Sequence, residues 1–219
     1  MAEILSSDGA LSSMYPVLRQ VLPSFKRRAL LSARWKQIDR DCQDPYETLL
    51  ENAYQKANSA EFLAHISYAE GRTYMHDVLL KDTDQMSMAH ALEVRVPLLD
   101  HKLVEYVMGV PDAYKRPNGI PKSLLVRSLG DLLPREIVHR PKQGFTLPFA
   151  DWMRGDLRNF CEERLDPRRI GSQGVFDAGE VKRLWRSFIN GSRDVSWSRL
   201  WILVTLEEWL EQNQVECSI

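Results

Sequence analysis

The last third of the chain has the clearest hydrophobic periodicity. In two stretches, apolar residues recur at positions i, i+3, i+4 and i+7, which is the spacing of one buried face of a helix. The residues in this register are Val181, Leu184, Trp185 and Phe188 in the first stretch and Trp197, Leu200, Trp201 and Val204 in the second. The pattern therefore predicts two helices that bury these faces.

Local signals predict the ends of this helical pair. Asp177 and Glu180 have the spacing of a capping box, and the Asn-Gly dipeptide at 190–191 favours a helix stop. The second helix is predicted from about residue 195 to about residue 212. We interpret the tryptophans of the pair first as anchors of the core or of a partner interface, and only second as a surface on which a ligand stacks.

Glycine and proline spacing predicts helices earlier in the chain as well. No glycine occurs from residue 10 to residue 70. Asp44 followed by Pro45 resembles an N-cap with proline at the first helical position. Asn58 and Glu61 have capping-box spacing, ahead of a helix that Gly71 is expected to end.

Prolines are frequent between residues 97 and 148. They predict short helices joined by loops, one over residues 101–108 capped by Asp100 and one over residues 121–129. The one stretch with strand-like alternation is residues 92–96. Taken together, the patterns predict a mainly α, irregular helical domain over residues 1–219.

Charge and cysteine content narrow the function classes. Lys and Arg number 29 and Asp and Glu number 30, for a formal net charge of -1, so the basic excess typical of nucleic-acid-binding proteins is missing. Three widely spaced cysteines form neither a zinc motif nor a disulfide framework, which predicts reduced thiols in the cytoplasm. No signal-peptide pattern or bilayer-length apolar run is present. We expect no nucleic-acid partner and no membrane partner.

Candidate chemistry is concentrated between Asp77 and Lys142. Lys142 lies between two prolines and close to Gly144, an arrangement that suits a rigid loop holding a cation near a phosphate or a developing negative charge. On spacing alone, a solvated lysine in a surface turn is the simpler interpretation. Glu93 and Arg95 share one face if the local chain is extended. This pair fits a structural ion pair and a ligand-facing role equally well.

Other chemical motifs are missing from the sequence. It contains no Walker-type phosphate loop, no dinucleotide-binding glycine motif, no serine-hydrolase elbow and no metalloprotease motif. The five histidines share no metal-ligand spacing, so we expect no metal site within the chain.

Three motifs between residues 70 and 155 together resemble the C-terminal part of the glutamine-hydrolysing asparagine synthase family. They are Asp84-x-x-Ser87-Met88-Ala89-x-x-Leu92-Glu93-x-Arg95-Val96-Pro97-x-Leu99-Asp100, then Lys122-x-Leu124-Leu125-x-Arg127, then Leu133-Pro134-x-x-Ile137 with Arg140-x-Lys142-x-Gly144-Phe145-x-x-Pro148. The combination is specific, and the resemblance is weak elsewhere. It divides the expected single domain into a family core at 70–155, with active-site-like loops, and Trp-rich C-terminal helices at 156–219.

The resemblance implies a two-domain enzyme. In the family, a glutaminase domain with a cysteine after the initiator methionine releases ammonia. A synthetase domain of the ATP-pyrophosphatase type uses ATP and Mg to adenylate aspartate, which ammonia converts to asparagine. Here position 2 is Ala2, and the family's Ser-Gly-Gly-x-Asp-Ser pyrophosphate loop is absent. The chain therefore resembles the helical C-terminal half of that synthetase domain, and its expected partners are the missing N-terminal half and the glutaminase domain.

The resemblance also implies site residues. Lys142 matches the family lysine that faces the phosphates and the adenylated intermediate, and Asp84 matches an acidic position that orients Lys142 or a substrate ammonium. These two are the expected catalytic residues. Residues expected in the vicinity of substrate or phosphate are Lys122, Ser87, Arg95, Glu93 and Asp77. Asp77 is the weaker match to the family motif. For Glu93 and Arg95, a purely architectural role is the alternative interpretation.

Without the pyrophosphate loop, we expect this chain alone neither to bind ATP well nor to turn over. Two alternative functions stay open. One is a related amide-forming ligase with a different substrate. The other is a non-catalytic helical interaction module, whose Trp-rich surface would drive self-association into a homo-oligomer.

Overall fold

The computed structural model describes residues 11–42, 45–56, 61–141, 144, 146–215 and 217. In chain order the helices are α1 (Leu11–Arg19), α2 (Ser24–Leu30), α3 (Ala33–Asp41), α4 (Pro45–Lys56), α5 (Phe62–Arg72), a π-helix (Tyr74–Leu80), α6 (Lys81–Met88), α7 (His101–Gly109), α8 (Asp112–Lys115), α9 (Ser123–Leu129), α10 (Arg135–Val138), α11 (Phe149–Arg154), α12 (Arg158–Arg164), α13 (Pro167–Gln173), α14 (Ala178–Ile189) and α15 (Trp197–Gln212). Short 3₁₀ turns lie at Pro97–Leu99, Pro117–Gly119 and Gly130–Leu132. The prediction of a mainly α chain is confirmed.

Contacts group the chain into two compact units. The first comprises residues 1–6, 17–43 and 144–219, and the second comprises residues 7–16 and 44–143. Helices α2, α3 and α11–α15 belong to the first unit and α4–α10 to the second, while α1 begins in the second and ends in the first. The single domain over residues 1–219 stays a prediction.

The first unit has a substantial hydrophobic core. Its fully buried apolar side chains are Met153, Cys161, Ile170, Val181, Phe188, Leu200, Leu203 and Val204. An isolated antiparallel bridge joins Leu31 to Phe176. Next to it, the backbone N–H of Asp177 donates to the Leu30 carbonyl at 2.8 Å, so the end of α2 is fastened to the segment that leads into α14.

The tryptophans of the C-terminal helices belong mainly to this core. Trp185 is buried, while Trp197 and Trp201 are half-buried and pack against the core. Phe149 joins them, because its ring stacks on Trp197 with 4.8 Å between centroids and lies 5.2 Å from Trp201. The core interpretation is confirmed for these three residues, whereas Trp209 is exposed.

The N-caps predicted at Asp177 and Asp100 are confirmed, but the capping box at Asp177 is only half formed, because the Asp177 backbone N–H donates to the Leu30 carbonyl and not to Glu180. Asp177 accepts a hydrogen bond from the backbone N–H of Glu180 at 2.9 Å, and α14 ends just before the Asn-Gly dipeptide. Asp100 accepts from the backbone N–H groups of Lys102 and Leu103 at 3.0 and 3.2 Å. Both helices start as predicted because these carboxylates satisfy amide donors that the first helical turn leaves free.

Other predicted helix ends are wrong or lie outside the described residues. Asp44 and Asn58 lie outside them, although α4 does begin at Pro45. Glu61 occupies the N-cap of α5 rather than the third helical position, and Gly71 does not end the helix. Instead, Glu61 accepts from the backbone N–H of Asp112 at 2.6 Å, and the Asp112 carboxylate accepts from that of Leu63 at 2.8 Å. The starts of α5 and α8 thus cap each other.

A buried glutamate lies in the first unit. Glu207 on α15 is 0% exposed, and neither of its carboxylate oxygens has a hydrogen-bond partner among the described residues. The nearest cation is Arg169, whose Nε lies 3.9 Å from Oε2. Arg169 is also engaged by Glu211, whose carboxylate accepts from its Nη2 at 2.7 Å. Burial raises the pKa of Glu207, and the Arg169 charge opposes this shift only in part.

Glu207 is expected to make the first unit less stable as pH rises. A carboxyl whose pKa is raised by folding stabilises the fold fully below its unfolded pKa, near 4.5, and loses that contribution as pH rises through the folded pKa. Glu207→Gln should therefore flatten this decline in unfolding free energy. Urea denaturation followed by tryptophan fluorescence between pH 4 and pH 8 measures it, because all six tryptophans lie in the first unit.

Glu211→Gln is the matched control for this prediction. Its hydrogen bond from Arg169 lowers the pKa of Glu211, so Glu211 stabilises the fold at higher pH and its removal should act in the opposite direction. Parallel pH profiles for wild type and Glu207→Gln would contradict the prediction.

The second unit has a much smaller core. Tyr15, Leu50 and Ala69 form it, with Tyr46 and Leu49 packed alongside. The Tyr15 hydroxyl donates to Glu70 at 2.9 Å and lies 3.1 Å from the Thr73 hydroxyl.

The family core of the sequence contributes almost nothing to a hydrophobic interior in either unit. Between Ala69 and Met153, no described apolar residue is buried. Large apolar side chains that are exposed include Val78, Leu79, Met86, Met88, Leu92, Val94, Val96, Leu98, Tyr106, Tyr114, Ile120, Leu132, Leu133 and Ile137. So many exposed apolar groups in one stretch are typical of a surface that another segment or protein covers.

All three cysteines of the chain lie among the described residues. Cys42, Cys161 and Cys217 are free thiols, and burial raises the pKa of Cys161 to about 11, which keeps this thiol protonated. No helix in the described part of the chain is both long and apolar enough to cross a membrane.

Candidate active-site surface

The π-helix and α6 carry three of the predicted site residues. Directly ahead of the π-helix, the buried Thr73 hydroxyl donates to the Ala69 carbonyl at 2.6 Å. Asp77 lies within the π-helix, and Asp84 and Ser87 lie on α6. Since π-helices occur frequently at functional sites, this irregular turn is a structural signal that the sequence reasoning missed. Nothing in the hydrophobic pattern distinguishes it from an ordinary α-helical turn.

The Asp77 carboxylate is paired with side chains that are close to it in the sequence. The His76 Nδ1 lies 2.8 Å from the Asp77 Oδ1, and the Lys81 Nζ lies 3.7 Å from the same oxygen. The hydrogen bond with His76, helped by the charge of Lys81, lowers the pKa of Asp77. Because its carboxylate is already paired, Asp77 is less available to a ligand than Asp84, and its motif match is also the weaker of the two.

Asp84 presents a carboxylate without a partner. It is exposed in the first turn of α6, and no hydrogen bond or ion pair to its carboxylate occurs among the described residues. The Ser87 hydroxyl donates instead to the backbone carbonyl of Asp84, at 3.2 Å. The Asp84 carboxylate is therefore available to a ligand or to a cation from another segment.

The segment after α6 turns sharply and then runs without regular structure. Ala91 has a φ of 55°, and the backbone N–H of Leu92 donates to the Ser87 carbonyl at 2.9 Å. This is the geometry of a helix end closed by a left-handed residue, a position that usually requires glycine. The strand considered for residues 92–96 is wrong, because no neighbouring strand lies beside it within the described residues.

Glu93 and Arg95 form an ion pair with each other. The Arg95 Nη2 lies 2.8 Å from the Glu93 Oε1, and the two side chains are 82% and 71% exposed. An exposed pair of this kind adds at most about 1 kcal/mol to stability. The contact supports the ion-pair interpretation and leaves both side chains accessible from solvent.

Lys122 has an unusual backbone conformation. Pro121 was expected to begin a helix, but α9 begins at Ser123, and Lys122 immediately before it has a φ of 57°. A left-handed conformation costs a non-glycine residue about 1 kcal/mol or more and is often found at functional positions. The Lys122 side chain is exposed, and its ammonium has no described partner.

Lys142, the residue on which the predicted chemistry depends most, lies outside the described residues, as do Gln143 and Phe145. The described neighbours Pro141 and Gly144 are exposed. The role of Lys142 therefore rests on the sequence motif.

A groove that sequence reasoning missed lies beside the motif segment in the second unit. It has a volume of about 340 Å³, and its walls include Met75, Leu98, Leu99, Val104 and Lys115. Lys115 is only 12% exposed, and its ammonium donates to the Met108 carbonyl at 3.2 Å. Leu98 and Leu99 directly follow Val96 and Pro97 of the motif, so part of the motif segment lines this groove.

The described residues include few groups of the kind that bind phosphate. The sequence has no glycine-rich phosphate loop. Of the cations predicted near the phosphates and described in the structure, Arg95 is paired with Glu93 and only Lys122 is unpaired. A triphosphate is usually held by several convergent donors, so whether this chain alone binds ATP stays a prediction. The described part of the chain also contains no group of three His, Cys, Asp or Glu side chains able to hold a metal ion.

Comparison with known proteins identifies the family. The family model for asparagine synthase matches residues 8–211, and the chain belongs to the asparagine synthase family. A protein of Mycobacterium bovis described as a putative glutamine-hydrolysing asparagine synthetase is 27% identical over 193 residues, which are 88% of this chain and 27% of that protein.

Two further relatives match shorter parts of the chain. Glutamine-hydrolysing asparagine synthetase 1 of Bacillus subtilis is 29% identical over 122 residues, which are 54% of this chain and 19% of that protein. The asparagine synthetase of Gallus gallus is 46% identical over 100 residues, which are 42% of this chain and 17% of that protein. The chain thus spans between 17% and 27% of the length of these three relatives. No solved structure gives a significant match.

Proposed function

We propose that this chain is the C-terminal part of the synthetase domain of an ATP-dependent ligase that makes asparagine from aspartate and glutamine-derived ammonia. The observation that carries the proposal is the family match over residues 8–211. It is supported by the names of the relatives, each an asparagine synthetase described as glutamine-hydrolysing. It is supported further by the lack of any buried apolar residue described between Ala69 and Met153.

The exposed apolar side chains support the proposal that another protein segment covers this surface. Burying them would remove unfavourable apolar surface from water, at about 25 cal/mol per Å². The proposed cover is the preceding half of the synthetase domain, which would also supply the phosphate-binding loop. The glutaminase domain is the second proposed partner. The cytoplasmic location stays a prediction made from the sequence.

Each site residue has a proposed role. Lys142 stabilises the negative charge that develops as the aspartate carboxyl is activated and then attacked. Asp84, whose carboxylate has no described partner, orients Lys142 or the substrate ammonium. Lys122 and Ser87 supply a cation and a hydroxyl to the same region, and the Glu93–Arg95 pair fixes the conformation of the motif segment. ATP and Mg are proposed requirements of the family reaction and need the preceding half of the domain.

The test uses the full-length product of the gene that encodes this chain. With MgATP, glutamine and aspartate, we expect asparagine, AMP and pyrophosphate in equal amounts. The chain alone should release no pyrophosphate and show no micromolar affinity for MgATP in calorimetric titration. Pyrophosphate release with another carboxylic acid but not with aspartate would favour the related-ligase alternative. Failure to release pyrophosphate with any carboxylic acid would contradict a ligase function.

A further inference from the structure

The first unit contains a cavity between α12 and α14 that the proposed function does not use. Its volume is about 300 Å³. Leu165, Trp185 and Ile189 provide apolar walls, and Leu165 and Trp185 are both buried. A cavity of this size is at the lower end of the range for ligand sites and suits a metabolite-sized molecule.

Two cations line the cavity without a partner. Lys182 and Arg186 both line it and are one turn apart on α14, and neither side chain makes a hydrogen bond or ion pair among the described residues. Like charges at this spacing on a helix repel and destabilise it by a few tenths of a kcal/mol. The third cationic side chain of this helix, Arg183, is instead paired with Glu180. An anion between Lys182 and Arg186 would remove the repulsion.

The acidic side chains that line the cavity are already engaged. The Glu162 Oε1 accepts from the Arg158 Nε at 2.9 Å and from the Trp185 Nε1 at 3.4 Å. The Asp166 carboxylate accepts from the backbone N–H of Arg168 at 2.9 Å, where it caps α13. Arg158 is neutralised by Glu162, so two cations against one carboxylate give the cavity a net positive charge.

We propose that this cavity binds a small organic anion, a carboxylate or a phosphate monoester with an apolar or aromatic body. The anionic end lies between Lys182 and Arg186, and the body packs against Leu165, Trp185 and Ile189. Both halves of the ligand are required by the site, since the cations recognise charge while the walls recognise apolar surface.

The experiment titrates the 219-residue chain with phenylacetate and phenyl phosphate and follows the Trp185 indole N–H by NMR. We expect a saturable shift with at least one of them, and the stronger of the two defines the preferred anion. Benzyl alcohol tests the need for charge, and acetate tests the need for an apolar body. Both should bind at least tenfold more weakly.

Variants connect the binding to the two cations. The double variant Lys182→Ala/Arg186→Ala should lose at least tenfold in affinity, while Arg183→Ala on the same helix should keep wild-type affinity. Because all three side chains are exposed, the fold should persist, and an unchanged tryptophan emission spectrum checks this. The proposal is overturned if neither anion gives a saturable shift, if benzyl alcohol or acetate binds as well, or if the double variant binds normally.

Discussion

Replacing Phe188 with alanine is expected to lower the unfolding free energy of the first unit by about 3–5 kcal/mol. The Phe188 side chain is 1% exposed, and its ring lies 5.8 Å from that of Trp185. The Arg154 guanidinium lies 4.2 Å from the Phe188 ring centroid. Truncation would leave a cavity and remove both contacts. Since domains are stable by only about 5–15 kcal/mol, the loss is a large fraction of the total.

Urea denaturation followed by tryptophan fluorescence measures this loss in the first unit alone, because that unit contains all six tryptophans. The matched control is Phe25→Ala, the same substitution at a side chain that is 64% exposed in the same unit. We expect the control to change stability by no more than about 0.5 kcal/mol. Equal effects of the two substitutions would mean that Phe188 is not a core residue.

Replacing Lys142 with methionine in the full-length protein is expected to reduce the rate of asparagine formation by about 10²–10³-fold. This is the usual cost of removing one positioned group that stabilises charge in a transition state. Methionine keeps the length and apolar stem of the side chain but removes the ammonium. The prediction rests on the proposed function. The reaction rate is measured as pyrophosphate release in the presence of aspartate.

The control for Lys142 is Lys102→Met on α7, the same substitution at an exposed lysine with no proposed role. It should leave the rate of asparagine formation within about twofold of wild type. Glutamine hydrolysis should persist in the Lys142 variant, which separates loss of synthetase chemistry from general unfolding. Normal asparagine formation by the Lys142 variant would exclude the role proposed for this residue.

Two helix starts that are set by a capping side chain were predicted correctly from the sequence. Asp100 and Asp177 predicted the starts of α7 and α14 because a cap acts on amides two or three residues away. The prediction at Gly71 failed because the chain continues from α5 almost directly into a π-helix. The strand at 92–96 failed because alternation produces a strand only where another strand is available to pair with it.

The candidate site was predictable to a similar extent. The sequence motifs were sufficient to select candidate site residues. These are Asp84, Ser87, Glu93, Arg95 and Lys122. The motifs did not indicate that the Asp84 carboxylate has no partner, or that Lys122 adopts a left-handed backbone. The cavity beside Trp185 was missed because its lining comes from α12, the start of α13 and α14, which no single stretch of sequence reveals.

The sequence by itself determined the helical class, the N-caps at Asp100 and Asp177 and the membership of the family, since these depend on spacing along the chain. Only the tertiary structure decided which apolar residues are buried. The periodic faces around Trp185 and Leu200 pack together and form a core, whereas no apolar residue described from Val78 to Ile137 is buried. The physical reason is that hydrophobicity is a property of a residue, but burial depends on a second surface close enough to exclude water.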